Sequence, residues 1–267
     1  MSSEPGTLRD TAVAFAREAG AILREGYGRS HRPELKGRID LVTEYDRRSE
    51  RMLLNRIAGR FPGHAVLAEE SGAHETGGNV RWIVDPLDGT TNFAHNYPFF
   101  CVSIGVEVAG ELAAGVVYDP IRDELFAAAV GQGATLNGRP IRVSDVPRVD
   151  QGLLVTGFPY GVREHPELSV PVFQAFLTRA QGVRRDGSAA LNLCYLACGR
   201  FDGFWEGDLS PWDMAAGVLI VREAGGRVTG YEGGAFHLEA REVLATNGQI
   251  HEEMQHILLD ARARLSS

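Results

Sequence analysis

The feature that most constrains this chain is the run Trp82-Ile83-Val84-Asp85-Pro86-Leu87-Asp88-Gly89-Thr90-Thr91-Asn92. Its apolar start predicts a buried strand that delivers Asp85 and Asp88 to its carboxyl end. Gly89 permits a tight turn before the two threonines. Two carboxylates this close repel each other unless a cation or a proton lies between them. No cysteine or histidine accompanies them, so the donor set suits a hard divalent cation, magnesium rather than zinc. The amides of Gly89, Thr90 and Thr91, if they begin a helix, form a seat for a phosphate. A plainer reading stays open on spacing alone, because aspartate and glycine are ordinary turn residues.

The surrounding pattern places that run in a mixed fold. Thr7 to Tyr27 has helical spacing through Val13, Ala16, Ile22 and Leu23, with Thr7 and Asp10 placed as cap and first-turn acid. After a loop at Gly28 to Arg38, a second helix is expected from Asp46 to Gly59, then strands at Ala65–Ala68 and Arg81–Val84. Cys101–Val108, Glu111–Tyr118 and Asp123–Val130 follow with turn-sized gaps, which predicts an antiparallel meander. Beyond Pro147 strands and helices alternate: Leu153–Val155, a helix from Pro166 to Arg179, a strand near Val183 and a helix from Ala189 to Cys198. A strand at Phe201–Trp205, a helix opening near Pro211, strands near 226–229 and 243–246, and a closing helix from Gly248 to about Leu265 complete it. The expected class is α+β, with a meander sheet in the first half and α/β layers in the second. The halves divide as 1–145, with most of the acidic motifs, and 146–267, with Asp213, in one compact unit.

Two further acidic positions join the first pair. Glu69-Glu70 ends a strand, and Asp213 opens a helix after Trp212, where layered α/β folds present catalytic groups. Either alone reads equally as a solvated strand edge or a helix-dipole partner.

Taken in order, these segments resemble the inositol monophosphatase family of lithium-sensitive, magnesium-dependent phosphatases. The resemblance runs through Asp40-Leu41-Val42-Thr43 with Asp46, Ala68-Glu69-Glu70-Ser71 and Asp85 to Phe93. It continues through Arg185-Asp186-Gly187-Ser188-Ala189-Ala190, Phe204-Trp205-Glu206, Pro211 to Gly217 and Glu223-Ala224-Gly225-Gly226. It implies a layered αβαβα sandwich of sugar-phosphatase type, two or three Mg2+ ions, and a homodimer. Glu69, Asp85 and the Leu87 carbonyl would hold one ion, while Asp85, Asp88 and Asp213 would hold another. Glu69 with Thr90 would orient and deprotonate the attacking water, with Asp88 also in the catalytic group. The substrate would meet Asp88, Gly89, Thr90 and Thr91 at the phosphate, and Glu206 and the Ala189 backbone at the hydroxyls. Lys36 matches a lysine near the family's metal region, and Ser210-Pro211 departs from the histidine and cysteine of animal members.

The implied activity is hydrolysis of a small sugar-alcohol phosphate monoester, inositol monophosphate first, with histidinol phosphate and fructose 1,6-bisphosphate as alternatives. An adenosine bisphosphate is a more distant rival. A reading of another class is a protein-interaction role with the transcription machinery. The net charge of −8 is spread along 267 residues, and this acidic balance leaves no basic stripe expected for nucleic acid. The amino terminus has no basic flank before an apolar stretch, and no run approaches the ~20 apolar residues of a membrane span; a cytoplasmic location without a membrane partner is expected. Cys101, Cys194 and Cys198 form no metal or disulfide pattern and are expected as buried thiols. His251 and His256 are expected as solvated side chains on the last helix. No P-loop, Gly-x-Ser-x-Gly elbow or His-Glu-x-x-His is present, and Gly131-Gln132-Gly133 reads as a hairpin loop rather than a dinucleotide fingerprint.

Overall fold

The structure, a computed structural model, describes residues 4–29, 33–35 and 41–263; Lys36 and Asp40 lie outside them. The first half comprises α1 (Pro5–Gly26), β1 (Glu34–Leu35), β2 (Leu41–Val42), α2 (Glu44–Arg60), β3 (Ala65–Ala68), β4 (Gly72–His74), β5 (Val80–Asp88) and a short α3 (Thr90–Ala94). The meander follows as β6 (Cys101–Val108), β7 (Glu111–Asp119) and β8 (Glu124–Ala129), with β9 (Ala134–Leu136) and β10 (Arg139–Pro140) at its edge. The second half comprises β11 (Leu153–Thr156), α4 (Val170–Leu177), β12 (Gly182–Arg184), α5 (Ala189–Ala197) and β13 (Gly203–Gly207). It ends with α6 (Pro211–Glu223), β14 (Arg227–Thr229), β15 (Glu242–Thr246) and α7 (His251–Ala263).

Eight strands form one sheet in the order β10-β9-β8-β7-β6-β5-β3-β4. All neighbours in it are antiparallel except β3 and β5. A second sheet runs β12-β11-β13-β15-β14, with β11 parallel to both of its neighbours. Three apolar clusters mark the layer contacts. Leu8, Phe15, Leu53, Trp82 and Phe100 pack α1 and α2 on the large sheet; Ile83, Phe126, Leu191, Met214, Phe204 and Val243 fill the space between the sheets around α5 and α6. Phe176, Trp205, Leu244 and Leu258 join α4 and α7 to the small sheet. The result is an αβαβα sandwich. Its central layer needs close approach: a Cβ on Gly105 or Gly115 would stand 2.6 and 2.7 Å from Ala215 and Ala216 atoms of α6.

Several local expectations change. The cap of α1 is Glu4, whose carboxylate accepts from the Gly6 and Thr7 amides, rather than Thr7. A negative side chain suits that helix end. The Pro166–Arg179 helix is a 3-10 turn, Pro166–Leu168, followed by α4, and the strand expected at Phe201–Trp205 starts two residues later. β5 does not stop at Val84 but continues through Asp88. His256 is exposed, but His251 is fully buried, its ring nitrogens 3.0 and 2.9 Å from the hydroxyls of Thr229 and Thr246. Those hydroxyls replace the water it would lose, and burial pushes its imidazole down to about 4. Cys101 and Cys194 are buried, Cys198 half-buried, and none is paired. Among the described residues no helix is long and apolar enough to cross a membrane.

Candidate active site

The site is built where β5 ends. Between β5 and β6 the register shifts: Asp85 lies opposite Ser103 and Asp88 opposite Cys101, so two residues on β5, Pro86 and Leu87, oppose one on β6, Val102. That is a β-bulge. On a regular strand residues three apart face opposite sides; the extra residue turns both aspartates toward one place. Pro86, which has no amide hydrogen to donate, sits in the bulge, and its carbonyl accepts from Ser49 Oγ of α2 at 3.0 Å. Asp85 Oδ1 accepts from the Leu87 amide at 2.9 Å.

Asp213 reaches the same place from the first turn of α6, where its Oδ2 accepts from the Ser210 amide at 2.7 Å. Asp85, Asp88 and Asp213 each bring a carboxylate oxygen within 4.8 Å of the others. Glu69, in the turn after β3, has its carboxyl against that of Asp85. Burial pushes the Asp85 carboxyl well above its usual range, and the charges of Glu69, Asp88 and Asp213 add to the rise. Asp213 is also pushed well up, by burial first and then by Asp88. Acids held like this need a positive charge among them to ionise together at neutral pH. The donors are all hard oxygens, with the Leu87 carbonyl close by, so this group fits a magnesium-class cation and not a thiolate or imidazole metal.

Asp88 is held from behind. Its Oδ2 accepts from Ser188 Oγ at 2.6 Å and the Ala190 amide at 2.8 Å, with the Cys101 thiol 3.8 Å away. These bonds oppose the rise that burial imposes on its carboxyl, as does one from the Ala189 amide. The Ala189 backbone, expected at the substrate's hydroxyls, thus lies beside Asp88.

Gly89 turns the chain out of β5 at φ 95°, in the left-handed region, and a Cβ there would meet the Phe99 carbonyl at 3.0 Å. α3 begins at Thr90, whose Oγ1 lies 2.9 Å from Asp46 Oδ1 and 3.0 Å from the Leu87 carbonyl. Thr91 is exposed beside it. Asp46 is fully buried, and its Oδ2 accepts from the Thr43 amide and hydroxyl at 2.8 and 2.6 Å, the capping box of α2. Burial, the largest influence, raises its carboxyl despite those bonds. Asn92 ties the α3 loop across to the second half, donating to the Phe99 and Asp186 carbonyls at 2.7 and 2.8 Å.

Glu206 stands half-buried at the end of β13, within electrostatic reach of Asp88 and Asp213. Burial pushes its carboxyl up to about 8, Arg185 works against the rise and Asp88 adds to it. The expected residues therefore converge at the carboxyl ends of β3, β5 and β13 and the first turns of α3, α5 and α6. Asp46, Ser188 and Asn92 were not singled out beforehand as site residues. Only Asp46 carried a local signal, as the acid three residues after a threonine cap.

Comparison with known proteins agrees with this geometry. The model of the inositol monophosphatase family matches residues 4–264. An inositol-1-monophosphatase of Synechocystis is 48% identical over 258 residues, covering 96% of this chain and 90% of that relative. The Nus factor SuhB of Escherichia coli is 42% identical over 250 residues, covering 92% and 94%. The solved inositol monophosphatase of Anabaena superposes with a TM-score of 0.87 at 45% identity, covering 96% of each chain. With a family match across nearly its whole length and a phosphatase-like acidic centre, the chain belongs to the inositol monophosphatase family.

Proposed function

We propose that this protein is a magnesium-dependent phosphatase of small polyol phosphate monoesters, with inositol monophosphate as its leading substrate. The observation that carries the reading is the convergence of Asp85, Asp88 and Asp213 within 4.8 Å at the end of a bulged strand. Glu69, Asp85 and the Leu87 carbonyl would hold one cation, and Asp85, Asp88 and Asp213 another. When bound, such cations make water more acidic and neutralise charge on the phosphoryl oxygens and the leaving group.

The chain's own groups supply the rest. Donating its proton to Asp46 Oδ1, Thr90 Oγ1 keeps its lone pairs open to accept a hydrogen bond from the attacking water. Glu69 accepts the proton that water loses and directs the remaining lone pair at phosphorus. The amides of Gly89, Thr90 and Thr91 bind the phosphoryl oxygens at the opening of α3. Glu206 accepts hydrogen bonds from the substrate's hydroxyls without demanding one stereochemistry, which accommodates several sugar alcohols. The preferred substrate is tested by phosphate release from inositol 1-phosphate, histidinol phosphate, fructose 1,6-bisphosphate and adenosine 3′,5′-bisphosphate. Inositol 1-phosphate should have the highest kcat/KM; turnover of none of them would overturn the reading.

Two features of the molecule support further properties within this reading. Tyr160, Leu168, Val170 and Leu177 leave large apolar side chains exposed in the single segment 160–177, which suits a homodimer contact. The relative named as a Nus factor favours a second role, contact with the transcription machinery. An Asp88→Asn variant without turnover that still binds that machinery would establish the second role; loss of both would not.

A further inference from the structure

We propose that Gly157 is a specificity-determining residue, because the side chain it lacks leaves the place in which the Glu206 carboxylate stands. The inference rests on the reading of Glu206 as the group that meets the polyol.

β11 and β13 run parallel with Thr156 opposite Trp205, so Gly157 and Glu206 are neighbours at the carboxyl ends of the two strands. A Cβ built on Gly157 would lie 1.9 Å from Glu206 Oε1, 2.2 Å from its Cδ and 2.3 Å from its Oε2. No real contact is that short, so a side chain at 157 and the carboxylate in its present place exclude each other. The backbone does not require glycine here, since φ at 157 is outside the left-handed region. The space is therefore the reason for it.

What would give way is equally plain. Thr156 Oγ1 donates to the Trp205 carbonyl at 2.6 Å, between two residues that are 1% and 4% exposed, so the strand ends are fastened together. The Glu206 carboxylate is the far end of a flexible, half-buried side chain. An alanine at 157 leaves the fold standing and turns that carboxylate away. Gly161, four residues on, is the contrast: a Cβ there meets nothing within 4 Å.

The test compares kcat/KM for inositol 1-phosphate with that for p-nitrophenyl phosphate, whose leaving group carries no second hydroxyl to recognise. It uses wild type, Gly157→Ala, Gly161→Ala and the double variant Gly157→Ala/Glu206→Asp, each checked by thermal melting. Losing the Glu206 hydrogen bond leaves a buried substrate hydroxyl without its partner, which should lower the ratio in Gly157→Ala by about 10- to 100-fold. Gly161→Ala should keep the wild-type ratio. In the double variant the shorter aspartate side chain clears the new methyl, so the ratio should regain at least threefold. A folded Gly157→Ala with a ratio within twofold of wild type would overturn the proposal. So would a Gly157→Ala that fails to fold, since the side chain and not the backbone should yield. Wild type inactive on inositol 1-phosphate but active on p-nitrophenyl phosphate would overturn the polyol reading itself, and this inference with it.

Discussion

Removing the hydroxyl of Ser188 should weaken catalysis through Asp88 alone. Ser188 Oγ lies 2.6 Å from Asp88 Oδ2, and both residues are buried. After Ser188→Ala the same oxygen still accepts from the Ala190 amide at 2.8 Å and the Ala189 amide stays beside the carboxyl, so Asp88 keeps part of its anchoring. A hydrogen bond to a charged group contributes about 1.5–3 kcal/mol, which corresponds to about a 10- to 150-fold change in an equilibrium or rate ratio. The loss should appear in two readouts of steady-state phosphate release, a lower kcat/KM and a higher half-saturating Mg2+ concentration, because the freed carboxylate no longer presents one geometry. Ser188 also caps α5 through the Leu191 amide at 3.3 Å, so a stability loss of about 1 kcal/mol is expected in parallel. Ser188→Thr keeps the hydroxyl and should restore both readouts. A folded Ser188→Ala protein with kcat/KM and magnesium dependence within twofold of wild type would refute the reasoning.

Thr90→Val keeps the volume and removes the hydroxyl between Asp46 and the Leu87 carbonyl; kcat should fall about 10²- to 10⁴-fold with little change in KM, measured by phosphate release. Glu206, pushed up to about 8, is protonated in the folded chain where the unfolded chain is already ionised; stability therefore falls as pH rises from about 4.5 to 8. Glu206→Gln should remove that loss, so its Tm advantage over wild type should widen across the window, and a constant difference would contradict the assignment. His251 has the opposite sign. Held down to about 4, it stays neutral in the fold while the unfolded chain takes up a proton below about 6.5, so acid removes about 3 kcal/mol between pH 6.5 and 4. His251→Gln should flatten that part of the Tm–pH curve.

Much of this site was legible because its residues come in short consecutive runs. Asp85 to Thr91 spans the bulge, the turn and the start of α3, and Trp212-Asp213 marks the opening of α6. The α+β class followed from the meander and the strand–helix alternation, whereas the αβαβα sandwich was implied by the family resemblance. What stayed hidden depends on contacts between distant segments. The bulge that brings Asp85 and Asp88 to one side is set by pairing with β6, and no pattern within β5 announces it beyond Pro86. Ser188 grips Asp88 from 100 positions away, and Asn92 reaches Asp186 across 94. His251 lies on a helix of polar composition, but it is the first residue of α7 and faces Thr229 and Thr246, which the helix's own sequence does not reveal. Glycine at 157 likewise carries no meaning until β13 is laid beside β11.

The most direct test of the acidic centre is phosphate release from inositol 1-phosphate as a function of Mg2+ concentration, for wild type and for Asp85→Asn. Asp85 adjoins both Glu69 and the Asp88–Asp213 pair, so losing its charge should disturb both cation positions. Saturable magnesium dependence in wild type, abolished by chelator, with turnover of a folded Asp85→Asn reduced at least ~10³-fold at every concentration, is the expected result. Turnover that is indifferent to magnesium, or retained by Asp85→Asn, would contradict it.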